Sequence, residues 1–553
     1  MKEDIVVDTV VVGAGFAGLY ALHRLQGLGL SAQCFEAGGD VGGTWYWNRY
    51  PGARCDIESL EYSYSFDEAL QQEWRWSERY SAQPEILRYI HHVADRFDLR
   101  RFVRLNTRVV SATYDEGSGR WRVATDDGRV TDARFCIMAT GCLSSARVPP
   151  IEGAAQFAGR QLHTGQWPHE PVDFTDQRVG VIGTGSSGIQ VVTAIAGQAS
   201  ELFVFQRTPA FSLPSKNAPL DPAVEREVKA DYAALRRKAR ESAAGNAAYP
   251  VPTQSAFDVG DDERARIYEK HWGAGRVSIG RAFTDLLTDL RANDTAAEFV
   301  RGKIAATVKD DRVAAALLPS HPIGTKRVCL DSGYYEVFNR ADVTLVDLRE
   351  EPIARITAAG VQTSRREIAL DAIVYATGYD AMTGALDAID IRGRGGHSLR
   401  EKWQAGPRTL LGVQSAGFPN LFFVTGPGSP SVLSNVIVCI EQHVDWIADA
   451  LAYMNRHGLS RMEATASAEG AWVAHVNEVA SRTLFPQAAS WYMGANVPGK
   501  PRAFMPYVGG VGAFRIACDR VAAAGYEGFD LSAGPRSATA DQGTAAGRST
   551  TLT

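Results

Sequence analysis

Two glycine-rich loops constrain the fold of this chain more than anything else in it. The first, Gly13-Ala-Gly15-Phe-Ala-Gly18, follows the apolar run Thr9-Val-Val-Val12 and opens onto Leu19-Tyr-Ala-Leu-His-Arg-Leu25, where apolar residues fall at helical spacing. Ala32-Gln-Cys-Phe-Glu36 then has the pattern of a second strand. Strand, tight turn, helix and strand in that order make a dinucleotide cradle. The glycines let the turn close and let the backbone approach a pyrophosphate, whose charge rests on the helix N-terminus. Glu36 stands 23 residues after Gly13, where a carboxylate accepts hydrogen bonds from a ribose 2′-hydroxyl and repels a 2′-phosphate. This half is expected to hold FAD or NAD and to exclude NADP.

The pattern recurs. Arg178-Val-Gly-Val-Ile182 runs into Gly183-Thr-Gly185-Ser186-Ser-Gly188, followed by a helical stretch and the strand Leu202-Phe-Val-Phe-Gln206. Here Arg207, followed by Thr208, occupies the place that Glu36 has in the first half. A guanidinium pairs with the 2′-phosphate that a carboxylate rejects, so the second half reads as an NADPH site and the first as an FAD site. Two apolar strands ending in the same triplet, Ala139-Thr-Gly141 and Ala376-Thr-Gly378, suggest that each half has a strand returning to its own sheet. The fold class is therefore α/β, with two Rossmann-like dinucleotide-binding domains.

At 553 residues the chain exceeds one core. The expected division is an FAD domain from 1–147 and 385–531, an NADPH domain from 148–215 and 322–384, and a helical insertion at 216–321. The insertion is announced by the proline-broken stretch 212–222 and then by the charged, amphipathic stretch 224–238. Ser532 to Thr553, rich in Ala, Ser, Thr and Gly, is expected to be a disordered tail. A net charge of −5 gives no reason to expect nucleic acid or an anionic membrane as partner. No apolar run approaches the ~18 residues of a membrane span. Seven scattered cysteines without a Cys-x-x-Cys argue against a disulfide framework, a metal site or a dithiol redox centre. A cytoplasmic monomer is the expectation, and no metal is implied.

Several other stretches carry chemistry. Val41-Gly-Gly-Thr44-Trp45-Tyr-Trp-Asn-Arg-Tyr-Pro-Gly-Ala-Arg54-Cys-Asp56 is aromatic and aperiodic, an ordered loop of the kind that bears function on a rigid scaffold. Asp56 is the carboxylate in it that Arg49 or Arg54 could pair with. Between the two glycine loops lies Phe157-Ala-Gly159-Arg-Gln-Leu-His163-Thr-Gly-Gln-Trp167-Pro168, taken as a linker. His163 has no companion that would make it a base, nucleophile or ligand, and a role in coupling two cofactor sites suits it better. Lys326-Arg327 marks the return from the insertion, and Trp491 lies in a second special loop.

Two glycine loops, the F-x-G-x-x-x-H-x-x-x-W-P pattern between them, the Gly42–Asp56 stretch and Gly324-Thr-Lys-Arg327 together resemble the type I Baeyer–Villiger monooxygenases, over roughly residues 8–531 and with the phenylacetone and steroid monooxygenase branch as the nearest likeness. The resemblance implies FAD and NADPH as cofactors, a ketone and O2 as substrates, and an ester or lactone as product, formed through a C4a-peroxyflavin and an anionic tetrahedral adduct. It implies that Arg327 is the catalytic arginine, Asp56 the aspartate that positions it, and Trp491 a contact to the nicotinamide ribose. Thr44, Trp45 and Asp56 would lie at the flavin, and Arg207, Thr208 and Lys326 at the 2′-phosphate. Leu143, Ser431, Val432 and Leu433 would shape the ketone pocket. The rival readings are an amine or sulfide monooxygenase, which has no need of Arg327, and a non-catalytic NADPH-sensing flavoprotein.

Overall fold

The computed structural model describes residues 5–533. Its first sheet has eight strands: β1 (Ile5–Val12), β2 (Ala32–Phe35), β3 (Val103–Arg104), β4 (Val109–Asp115), β5 (Arg120–Thr125), β6 (Val130–Met138), and, from far along the chain, β12 (Asp390–Arg392) and β13 (Leu421–Phe423). The order is β12-β4-β5-β6-β1-β2-β3, with β13 beside β6. β1 pairs in parallel with both β2 and β6, and its inner residues Val10 and Val11 are wholly buried. Burial on both faces explains the unbroken valine run. The helix α1 (Phe16–Gly27) packs against α9 (Val436–Arg456), where Tyr20 and Arg24 both reach Asp445, so the C-terminal third of the chain closes the first half.

The second sheet is five-stranded, ordered β10 (Val343–Asp347), β9 (Glu201–Gln206), β8 (Arg178–Ile182), β11 (Ala372–Tyr375) and β7 (Arg160–His163), with every pairing parallel. β11 runs alongside β8 as β6 runs alongside β1, and each leads into an Ala-Thr-Gly turn. The duplication expected from the two triplets is therefore present in the sheets themselves. β7 corrects one expectation: the F-x-G-x-x-x-H segment is no linker but supplies the edge strand of the second sheet. Its Leu162 and His163 are buried while Arg160 and Gln161 face out.

The insertion is helical, with α4 (Pro222–Ala230), α5 (Tyr232–Glu241), α6 (Asp261–Gly273), α7 (Leu290–Thr307) and α8 (Asp311–Leu317). The charged, amphipathic stretch 224–238 spans two helices that meet at Asp231, which ends α4 and caps α5 through the Ala234 amide at 3.0 Å. Both chain crossings of the insertion are clamped together, since Ser212–Pro214 pairs in parallel with Cys329–Asp331. That pairing holds the Lys326-Arg327 stretch close to the body of the molecule. The aromatic loop also departs from expectation, because Thr44–Trp47 forms a helical turn, α2. Of the tail expected from Ser532, Ser532 itself ends a strand, Phe529–Ser532, paired with Arg461–Ala464, and residues 534–553 lie outside the described ones. Among the described residues no helix is long and apolar enough to cross a membrane, and all seven cysteines are free.

Candidate active site between two nucleotide cradles

Both glycine loops have the shape a pyrophosphate needs. Gly13 turns with φ near 100° and Gly183 with φ near 111°, conformations that side chains with a Cβ rarely adopt. A Cβ on Gly13 would sit 2.7 Å from the Ala139 carbonyl oxygen, and one on Gly183 would overlap the carbonyl of Ala376. Each Ala-Thr-Gly turn thus closes over the glycine loop of its own half. Gly18 and Gly188 bring the following helix, α1 or α3 (Ser186–Ile195), down onto the first glycine's carbonyl with no room for a side chain. Gly185 faces open space. Gly15 lies against Gly43, so the aromatic loop forms one wall of the first cradle. Thr44 and Trp45 begin the helical turn there, and the Trp45 indole donates to Tyr62 at 3.1 Å. These surfaces fit FAD in the first cradle and NADPH in the second.

Glu36 is buried, with one carboxylate oxygen accepting from the Ala14 amide at 2.8 Å and the other from the Gly38 amide at 2.7 Å. Burial raises its pKa and the two amides act against that rise. Each oxygen retains a lone pair for a ribose hydroxyl. At the second cradle Arg207 and Lys326 converge without a carboxylate within 4.0 Å of either among the described residues. Lys326 has its pKa lowered by burial and then by Arg207. Two cations held close without a counter-charge make an anion site, and the exposed Thr208 borders it. Ser186, expected among the cofactor-binding residues, begins α3 directly after Gly185, and its hydroxyl lies 3.3 Å from the Cys329 thiol.

Between the cradles, Arg327 donates from Nε to Asp56 at 2.9 Å, donates again from Nη2 to the same carboxylate oxygen, and reaches the Val432 carbonyl from Nη1 at 3.3 Å. Arg54 is not the partner of Asp56, because Glu78 and the Tyr80 carbonyl take it, and Arg49 folds back on Tyr46. Burial works against the charge on Arg327, but Asp56 outweighs it and the guanidinium is held protonated more firmly than usual. Two residues that the sequence did not single out face this pair. Tyr492 is buried and its pKa is pushed up to about 12, by burial first, with Arg327 opposing. Tyr249, from the insertion, is raised by burial and then by Asp56. Tyr492 adjoins Trp491 and could have been found there; nothing in the sequence marks Tyr249.

The wall beside Arg327 is apolar. Val432, Trp491, Leu143 and Cys142 pack against Met382 and Met505, and Leu433, like Val432, packs against the cluster of Phe485, Tyr492 and Phe504. Ser431 is wholly buried at φ 44°, with its hydroxyl 3.0 Å from the Cys142 thiol. It anchors this wall from behind.

The two halves are joined directly. Tyr50 donates to Gln190 of α3 at 2.8 Å, and Gln190 donates to the Arg54 carbonyl at 3.0 Å, which ties the aromatic loop to the helix behind the second glycine loop. His163 accepts from the Gly165 amide through Nδ1 at 2.9 Å and lies edge-on to Tyr379, whose hydroxyl reaches Asn48 in the first half. Gly165 gives room for the Tyr379 ring, and the Trp167 amide donates to the Trp47 carbonyl at 3.3 Å. Phe157 packs with Ile182 and Phe205 of the second sheet, and Gly159 abuts the Asp371 carbonyl. Trp167 packs against Phe174, with Pro168 following it into the chain's exit from the sheet edge.

A flavin-type cradle and an NADPH-type cradle joined across an arginine–aspartate pair define a two-dinucleotide flavin monooxygenase. Residues 7–218 match the FMO-like family of flavin-binding monooxygenase-like proteins. A Baeyer–Villiger monooxygenase of Pseudooceanicola batsensis is 44% identical over 94% of this chain and 95% of its own. Among solved structures, an oxidised steroid monooxygenase bound to NADP is 53% identical with a TM-score of 0.92, covering 96% of this chain and 100% of that one. A closed cyclohexanone monooxygenase is 42% identical with a TM-score of 0.93, covering 96% and 99%. The chain belongs to the type I Baeyer–Villiger monooxygenases, FAD- and NADPH-dependent enzymes with two Rossmann-like domains that convert ketones to esters or lactones.

Proposed function

We propose that this enzyme oxidises apolar ketones, aryl, cyclic or bulky and extending to steroids, with Arg327 as the catalytic residue and Asp56 as the residue that positions it. The observation that carries this reading is the Arg327–Asp56 pair set beside a wall of Leu143, Val432, Leu433, Met382 and Trp491. FAD, when bound, supplies oxygen activation, and NADPH supplies its reducing equivalents. What the chain supplies is charge, position and dryness. Arg327 holds a permanent positive charge where the ketone oxygen becomes anionic as its carbonyl is attacked. Asp56 fixes the guanidinium plane, so little reorientation is needed when that charge develops. The buried Tyr492 and the apolar wall limit water around the pair and strengthen the electrostatic effect.

In the same reading the first sheet, with residues 1–147 and 385–531, carries FAD through Gly13, Gly15, Gly18 and Glu36. The second, with 148–215 and 322–384, carries NADPH through Gly183, Gly185, Gly188, Arg207, Thr208 and Lys326, while 216–321 is an insertion. His163 and Trp167 couple the two. The enzyme works as a cytoplasmic monomer. Purified yellow protein should oxidise NADPH faster when phenylacetone or a steroid ketone is added and should yield an ester one oxygen heavier than the ketone. Formation of N- or S-oxides with no ester would favour a heteroatom monooxygenase. No NADPH oxidation at all would favour a sensor.

A further inference from the structure

Away from both cradles, a cavity of about 760 Å³ opens between the insertion and the flavin half. Its lining includes five cations, Lys229, Arg236, Arg237, Arg240 and Arg515, against three carboxylates, Glu68, Asp231 and Glu241, with Phe66 and Tyr232 supplying aromatic surface. Two of the five are engaged within the protein. Lys229 is bound by Glu225 at 2.9 Å and by the carbonyls of Gln72 and Trp74. Arg236 donates to Gln71, Ser63 and the carbonyls of Glu61 and Tyr64.

The other three are less so. Arg240 donates to Ser65 Oγ at 2.7 Å, and Arg237 is exposed. Arg515 has a buried Nε with no acceptor. None of these three has a carboxylate within 4.0 Å among the described residues. Glu441, buried behind Ser65, balances Arg236 and Arg240 from the core side. Arg515 feels Asp445 and Asp519 only at longer range, and burial and the approach of Arg240 lower its pKa. Arg240 and Arg515 are part-buried like charges close enough to act on one another, an arrangement that is costly unless something anionic sits with them.

We propose that this cavity is a second, peripheral binding site for a dianion of the phosphate-monoester type, clamped by Arg237 and Arg240 on α5 and by Arg515 on α10 (Val511–Ala523), with the organic part lying on Phe66 and Tyr232. With Lys229 held by Glu225 and Arg236 balanced by Glu441, three guanidiniums with free N–H groups remain, and they match the three oxygens of a phosphate monoester. A ligand held this way ties the insertion to the flavin half.

The test is isothermal titration of the holoenzyme with inorganic phosphate, and separately with succinate, while FAD and NADP+ saturate the two cradles. One saturable phosphate site is expected, weakened about tenfold in Arg515→Leu, Arg240→Gln and Arg237→Gln, with ketone-stimulated NADPH oxidation unchanged in all three. Arg237 is exposed, so its variant keeps the test valid even if Arg515→Leu does not fold. Absence of saturable phosphate binding, or variants that titrate like the wild type, would overturn the site. Succinate binding as tight as phosphate would overturn the phosphate-monoester assignment.

Discussion

Arg327 and Asp56, 271 residues apart in sequence, meet with two guanidinium nitrogens on a single carboxylate oxygen, Nε at 2.9 Å and Nη2 closer still. Arg327 Nη1 is turned instead towards the Val432 carbonyl in the apolar wall. Removing the charge and removing its support should therefore have separable effects. Arg327→Ala is expected to retain FAD and accept reduction by NADPH while ester formation falls by about 10²–10³-fold, the usual cost of losing one preorganised charge-stabilising group. Asp56→Ala should lose less, because the guanidinium stays charged but is no longer held. Arg327→Lys should resemble Asp56→Ala, since the charge persists without the planar fork. Flavin reduction followed by stopped flow, with product analysis by mass, separates the steps. Near-normal ester formation by Arg327→Ala would remove Arg327 from the chemistry.

Lys326 and Arg207 make a prediction about nucleotide choice and pH. With its pKa lowered from 10.5 by burial and by Arg207, Lys326 gives up its proton at a lower pH than a free lysine does. A 2′-phosphate favours the charged form, so NADPH binding raises that pKa. The KM for NADPH should therefore rise as pH increases through the depressed pKa, while the KM for NADH stays flat. Arg207→Ala should cut the preference for NADPH over NADH by about ten- to a hundredfold, the worth of one charge-assisted hydrogen bond. It should also shift the pH-dependent step upward, because Lys326 is relieved of a like charge. An unchanged cofactor preference in both Arg207→Ala and Lys326→Ala would place the phosphate elsewhere.

The parts legible in the sequence are those with local signatures. Glycine loops, β-branched strand runs and the Glu36/Arg207 alternation each depend on residues within about 25 positions of one another, roughly one βαβ unit. The pairing of Leu421–Phe423 with β6, or of Asp390–Arg392 with β4, joins distant segments that no periodicity links. The edge strand Arg160–His163 was hidden for a related reason. It is only four residues long, and its neighbour β11 lies more than two hundred positions on. In the site, Arg327 and Asp56 were reachable because both sit in distinctive motifs. Tyr249 was not, because it lies in an insertion whose sequence shows only helical amphipathicity and proline breaks.

The glycine loops allow a contrast between two positions in one motif. At Gly188 a Cβ would overlap the Gly183 carbonyl, whereas at Gly185 it meets nothing within 4 Å. Gly188→Ala must push α3 away from β8 and should destabilise the fold by about 1–3 kcal/mol as overpacking does. Gly185→Ala should leave stability unchanged and instead weaken NADPH, because the new methyl occupies the space a pyrophosphate needs. Thermal unfolding without nucleotide, together with NADPH titration, distinguishes the two. Equal destabilisation by both variants would contradict the open geometry at Gly185.

His443, on α9, is wholly buried and accepts from the Thr425 amide through Nδ1 at 2.9 Å. Thr425 has φ near 55°, and its carbonyl accepts from the Cys142 thiol at 3.2 Å, so this imidazole supports the strained turn behind the ketone wall. Burial lowers its pKa from 6.5 to about 4. The sign follows from the protons bound in each state. Above pH 6.5 neither the folded nor the unfolded state is protonated here, and the stabilisation is complete. As pH falls from there towards 4 the unfolded state takes up a proton that the folded state refuses, so stability is lost progressively, by about 3 kcal/mol across the window at 1.36 kcal/mol per unit. His443→Gln keeps an acceptor for the Thr425 amide but cannot titrate. Its unfolding midpoint should fall less between pH 7.5 and pH 5 than that of the wild type, and a parallel decline of the two would show that acid acts elsewhere.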